Sequence, residues 1–153
     1  MATTVTVADL TVTITESYSL NGVDYGNTMN KTFTSNGEVY QRIMTIAADA
    51  ERASWTDIIN FGARDDAGQA DITNYKYFRI KNLDDANFLE LRVTGTADSF
   101  FVKIKAGETF LLMDNEIDAV ASSTTIGTLT DITQIAANAD TDAIDIEFVC
   151  VTA

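Results

Sequence analysis

Between Tyr75 and Leu112 apolar and polar side chains alternate with a period of two. Phe78 and Ile80 alternate with Tyr77, Arg79 and Lys81. Leu89, Leu91 and Val93 alternate with Phe88, Glu90 and Arg92, and Phe100, Val102 and Ile104 with Phe101, Lys103 and Lys105. That period places one set on a core face and the other on a wetter face of a sheet. The interruptions are turn chemistry: Asn82-Leu83-Asp84-Asp85, Gly95-Thr96-Ala97-Asp98 and Lys105-Ala106-Gly107-Glu108. The stretch therefore predicts a meander of four short antiparallel strands joined by three tight turns.

The flanking chain carries the same signal. Thr3–Val7 has its apolar residues at odd positions, whereas Leu10–Ile14 has them at even positions. A one-residue slip turns every side chain to the other face, so a bulge or strand break is expected at Ala8-Asp9. Thr3–Val7 then reads either as the first strand of the domain or as an arm that pairs with a neighbouring subunit's sheet edge. Asn21-Gly22 is a strong hairpin dipeptide. Met29–Thr34 predicts a strand that turns at Ser35-Asn36-Gly37 and returns through Glu38–Ile46. Ala47–Arg52 is long enough for one helical turn but not for an independent helix. Trp55–Phe61 is strand-like, Gly62–Asn74 is a loop by composition, and Met113–Val120 is ambiguous. Ile126–Ala139 reads as strand from its β-branched residues, and Ala143–Val151 as the final strand.

Eight to ten strands spaced by Gly, Asn and Asp turns predict an all-β chain, an antiparallel β-sandwich of jelly-roll type spanning 1–153 as a single domain, with 1–8 as the candidate arm. The expected core is Phe78, Ile80, Leu89, Leu91, Val93, Val102, Ile104, Phe110, Leu112, Ile146 and Phe148. Composition agrees: 22 threonines favour strands, and the absence of proline leaves nothing from which to build a proline-rich linker.

Charge narrows the partners. Ten Lys+Arg face 23 Asp+Glu, a net of −13. Residues 75–112 hold six bases and five acids, while 113–153 hold eight acids and no base. A chain so acidic is repelled by a phosphate backbone and by an anionic bilayer, so neither nucleic acid nor membrane is an expected partner. The single cysteine, Cys150, excludes an internal disulfide and suits a small core position. No secretory signal or membrane-length apolar run appears, so cytoplasmic synthesis is expected.

Candidate chemistry is sparse. The chain contains no histidine, which removes imidazole bases, Ser-His-Asp constellations and the usual zinc ligands together. No phosphate-cradling glycine motif occurs. Asp65, Asp66 and Asp71, and separately Asp114, Asn115, Glu116 and Asp118, offer oxygen ligands for calcium but lack the closing glutamate or the glycine turn of a calcium loop. No cofactor, metal or catalysis is expected. A carbohydrate-binding sandwich remains a rival reading, and it requires Trp55 to stand exposed beside a carboxylate-lined groove.

Three pieces together resemble one family: LTVTITESYSLNGVDYGNT, EVYQRIMTI and YFRIKNLDDANFLELRV…FFVKIKAGETFLL. They resemble small all-β structural proteins of tailed bacteriophages, over residues 10–46 and 75–112. The signature is a strand ending in Asn-Leu-Asp-Asp, another strand, then Lys-Ala-Gly-Glu before a further strand. The resemblance implies a non-catalytic virion subunit with no functional residues to carry over. Its place is a capsid decoration or cement protein, with neck, collar, tail or baseplate accessories as alternatives. The implied partner is the major capsid protein or another virion protein, with a homo-oligomer, a trimer on a threefold, as the expected assembly. The expected contact residues are Val5 and Val7 in the arm and Lys76, Arg79, Lys81, Lys103 and Lys105 facing an acidic patch on the capsid.

Overall fold

The computed structural model describes residues 6–62, 70–71, 75–95, 99–114, 116–117 and 129–153. Among them every regular element is a strand, and no helix is long and apolar enough to cross a membrane. The chain groups into two compact units, Met1–Glu38 with Ala153, and Val39–Thr152.

The first unit is a two-stranded ribbon with a hairpin at its end. Strand β1 (Ala8–Glu16) pairs antiparallel with β4 (Asn27–Asn36), and β2 (Ser19–Leu20) with β3 (Val23–Asp24). Leu10 lies opposite Phe33 and Ile14 opposite Met29, so the apolar residues share one face. The other face carries threonine pairs, with Thr11 Oγ1 3.2 Å from Thr32 Oγ1, an arrangement that suits cross-strand neighbours. A register shift stands where the bulge or break is expected, between Ala8 and Leu10, with the extra residue on β4: Thr34 and Ser35 lie opposite Asp9 alone. It is held by side chains, because Asn36 Nδ2 donates to Ala8 O and Phe33 O, and Ser35 N donates to Asp9 Oδ1. At the tip Asn21 (φ 52°) and Gly22 (φ 79°) both adopt the left-handed conformation that a two-residue hairpin requires. Gly26 answers a different need, since a Cβ there would come within 2.7 Å of Glu16 O.

The second unit contains two antiparallel four-stranded sheets in a sandwich-like, all-β arrangement. Its strands are β5 (Glu38–Ile46), β6 (Thr56–Gly62), β7 (Ala70–Asp71), β8 (Tyr75–Asn82), β9 (Leu89–Thr94), β10 (Ser99–Ile104), β11 (Thr109–Leu112), β12 (Glu116–Ile117), β13 (Thr130–Asp131), β14 (Gln134–Ala139) and β15 (Ile144–Thr152). One sheet runs β11-β8-β15-β5 and the other β10-β9-β14-β6, with the short β7 added in parallel beside β6. Residues from both sheets join one apolar cluster that includes Phe78, Ile80, Ile146 and Phe148 from the first and Leu89, Leu91, Val93 and Ile135 from the second. Phe78 and Phe148 stack with centroids 6.3 Å apart. Of the expected core, Val102, Phe110 and Leu112 are half-buried against this cluster and the other eight are buried. Cys150 is buried there too, and burial pushes its thiol up to about 12, so it carries no thiolate at neutral pH.

Three expectations are corrected. The stretch 75–112 does form four strands, but they are not a meander: β8 pairs with β11, β9 pairs with β10, and the two pairs lie in different sheets. The Asn82–Asp85 and Lys105–Glu108 breaks are therefore crossings between sheets. Buried Asn82 stitches the first, donating through Nδ2 to Asn87 O (2.9 Å) and Ile104 O (3.3 Å) and accepting through Oδ1 from Asp84 N. Asp84 Oδ1 then accepts from Ala86 N and Asn87 N. Ser35–Gly37 does not turn a hairpin either, because β4 closes on β1 and β5 on β15. Tyr77, assigned by alternation to the wet face, is only 6% exposed. Ala47–Arg52 forms a single turn, closed by Arg52 N donating to Asp49 O. Ile126–Ala139 supplies β13 and β14 as expected of a strand segment, with 126–128 outside the described residues.

Candidate functional site

The residue types that carry recognition converge on the outer face of the β9–β10 hairpin. On β9, Glu90 and Arg92 point away from the core, and on β10 Lys103 and Phe101 stand directly opposite them. The segment 47–55, between β5 and β6, brings Arg52 and Trp55 to the same place. Arg52, Trp55, Glu90, Phe101, Val102 and Lys103 line a cleft of about 400 Å³.

The segment 47–55 is held by a small polar network. Asn138 on β14 is buried and treats the backbone of Asp49 as a strand neighbour would. Its Oδ1 accepts from Asp49 N at 2.9 Å and its Nδ2 donates to Asp49 O at 3.0 Å. The Asp49 carboxylate then accepts from Ser54 N and Glu51 N, and those bonds, Ser54's first, hold its pKa below the usual value. Arg52 sits at φ 54°, a left-handed conformation uncommon for a side-chain-bearing residue. Its carbonyl accepts from Trp55 Nε1 at 3.1 Å, which fixes the indole. Arg92 covers the indole with its guanidinium 4.8 Å from the ring centroid, and Phe101 lies 5.6 Å away at a 49° tilt.

Arg52 grips Glu90 with two parallel bonds, Nε to Oε2 and Nη2 to Oε1. This fork is the strong geometry for a carboxylate. The hydrogen bond from Arg52 is the main reason that Glu90 ionises below its ordinary value of 4.5, and Glu90 in turn raises Arg52. Lys103 Nζ lies over the Phe88 ring, 3.5 Å from its centroid, and makes no ion pair within 4 Å among the described residues. The lining therefore holds one carboxylate, already engaged, between two cations. Two facing carboxylates, as glycoside hydrolysis uses, are not among the lining residues.

A pH effect follows. Glu90's pKa is lowered in the folded state, so its contribution to stability is complete above its unfolded value near 4.5 and is lost as pH falls through the lower folded value. Acid titration should leave Trp55 emission flat above Glu90's ordinary value of 4.5 and shift it to the red only below that value. Glu90→Gln should move that change or abolish it, and an identical profile in the variant would detach Trp55 from the ion pair.

The sequence-predicted contact residues do not form one patch. Lys76, Arg79 and Lys81 lie on β8 in one sheet, Lys103 lies on β10 in the other, and Lys105 lies in the crossing that follows β10. Arg79 is paired with Glu147 on β15, Lys81 faces Glu147 across the strands, and Lys105 lies 4.0 Å from Glu108. Val7 is exposed, and Val5 lies outside the described residues. Phe101, one of the aromatics that interleave with basic residues in the sequence, reaches the cleft through the β9–β10 pairing; Arg52 carries no sequence signal for the site and arrives with the 47–55 segment, which Asn138 and Ala139 of β14 hold. Of the candidate calcium ligands, Asp65, Asp66, Asn115 and Asp118 lie outside the described residues. Among the described residues no three His, Cys, Asp or Glu side chains are placed to hold a metal ion.

Comparison of the chain with family models, curated proteins and solved structures finds no match.

Proposed function

We propose that this chain is a non-enzymatic structural protein of a tailed bacteriophage virion, a decoration or cement protein that binds the outside of the capsid through the major capsid protein. The observation that carries the reading is the ribbon. Val7, Tyr18, Leu20, Val23, Tyr25 and Met29 are all exposed on it. A two-stranded ribbon is marginal alone in water, and apolar side chains gathered on one are what contact with another protein covers. On the second unit, considered by itself, the edge strand β5 exposes Val39 and Ile43.

The strand pairing favours the jelly-roll form of sandwich. Counting the eight long strands of the second unit, the first pairs with the last (β5–β15) and the second with the seventh (β6–β14). The third pairs with the sixth (β8–β11) and the fourth with the fifth (β9–β10). That nesting is a hairpin wrapped onto itself, the way a jelly roll buries two sheets on one core. Charge favours the outer side of the shell: packaged DNA repels a chain of net −13, and an outward acidic surface keeps particles apart. The resemblance to phage structural proteins supplies the virion, and closed symmetry favours a homo-oligomer, with a trimer on a capsid threefold.

The test adds purified protein to capsids that lack it. The full chain should bind and raise the temperature at which the shells open. Deleting residues 2–8, or replacing Tyr18 and Tyr25 together with serine, should weaken binding more than about tenfold. Equal binding by both variants removes the ribbon from the contact. Shells that open at the same temperature with and without the protein remove the cement role.

A further inference from the structure

We infer that the Trp55 cleft is a binding site for a carboxylate-bearing saccharide, of the uronic or sialic acid class. This site lies on the β9–β10 face and is independent of the capsid contact. Its aromatic wall is held by named contacts. The Trp55 indole is tied by Nε1 to Arg52 O and backed by Arg92, and Phe101 stands tilted beside it with 63% of its surface exposed. Preformed aromatic surface next to a few fixed polar groups is the usual make-up of a small-ligand site, and the apolar face of a pyranose ring suits such a wall.

Charge selects among saccharides. In a chain of net −13 the cleft lining carries Arg52 and Lys103 against Glu90 alone. Glu90 is taken up by two Arg52 donors, although Asp140 also acts on Arg52. A guanidinium has five N–H donors and an ammonium three, so Arg52 keeps donors in reserve, and Lys103, which acts on Glu90 through its charge, has no carboxylate within 4 Å among the described residues. Acceptors on a ligand, hydroxyls and one carboxylate, complement that surplus. The volume, about 400 Å³, is near the lower end of the range for small-ligand sites, about 300–1,000 Å³, and fits a terminal sugar with part of its neighbour.

The chain has one tryptophan, so its emission reports on this cleft directly. The full-length protein is titrated with sialic-acid-terminated and glucuronate-terminated trisaccharides, with the neutral parent sugars and with a polyglutamate peptide. Calorimetry runs in parallel. The acidic sugars should change Trp55 emission saturably, and the neutral sugars should bind roughly fivefold more weakly or worse. Lys103→Gln should bring the acidic sugars down to the neutral level. Phe101→Ala should weaken all sugars more than about tenfold, and both variants should keep the parent circular dichroism and melting curve. Equal affinity for acidic and neutral sugars, a response to polyglutamate alone, binding unaffected in both variants, or no response at millimolar sugar would each overturn the assignment.

Discussion

Truncating Leu91 to alanine is expected to destabilise the protein by about 2–5 kcal/mol, read from urea or thermal unfolding. Leu91 is fully buried near the middle of β9. Its strand neighbours are Val102 on β10 and Ala137 on β14. Ala137 has no side-chain length with which to fill a void, and Val102 is already engaged against the core cluster, so the cavity left by the missing isobutyl group cannot collapse. A loss under about 0.5 kcal/mol would be that of a surface position and would break the β9 register. Glu90, the preceding residue, faces the opposite way, so Glu90→Ala should act mainly on the cleft.

Replacing Asn138 with alanine or leucine is expected to cost about 1–3 kcal/mol and to release Trp55. The buried amide satisfies both the N–H and the C=O of Asp49. Removing it leaves Asp49 N without a partner, at about 1–3 kcal/mol if kept from water, and leaves Asp49 O with only its bond from Arg52 N. Part of that cost is recovered where the 47–55 segment opens to solvent, and opening it separates Arg52 from Glu90 and frees the indole. Trp55 emission should therefore shift to the red at temperatures well below global unfolding. Asn138→Asp keeps an acceptor for Asp49 N but loses the donor to Asp49 O and brings a second charge towards Glu90, so it should be no milder than alanine. An alanine variant with the parent spectrum and a stability change under about 0.5 kcal/mol would show that Asn138 does not position the cleft.

The local elements were legible from the residues because their causes are local. Alternation of Leu89, Leu91 and Val93 with Glu90 and Arg92 dictates which side chains turn inward whatever strand lies alongside. The parity slip at Ala8-Asp9 coincides with a register shift between Ala8 and Leu10, where Thr34 and Ser35 of β4 stand opposite Asp9 alone. Asn21-Gly22 tolerates positive φ and makes the hairpin it signals. Pairing between distant strands was not legible. A turn such as Asn82–Asp85 can close a hairpin or cross between sheets with the same residues, and the choice rests on where its polar groups find partners. Here Asn82 reaches Ile104 O, 22 positions along the chain. The cleft depends on a still longer reach, from Asn138 back to Asp49. Nothing near Trp55 in the sequence announces that link. The alternation decided which faces are apolar, and the tertiary structure alone decided which faces meet, because partner choice is a sum of contacts between residues far apart in the chain.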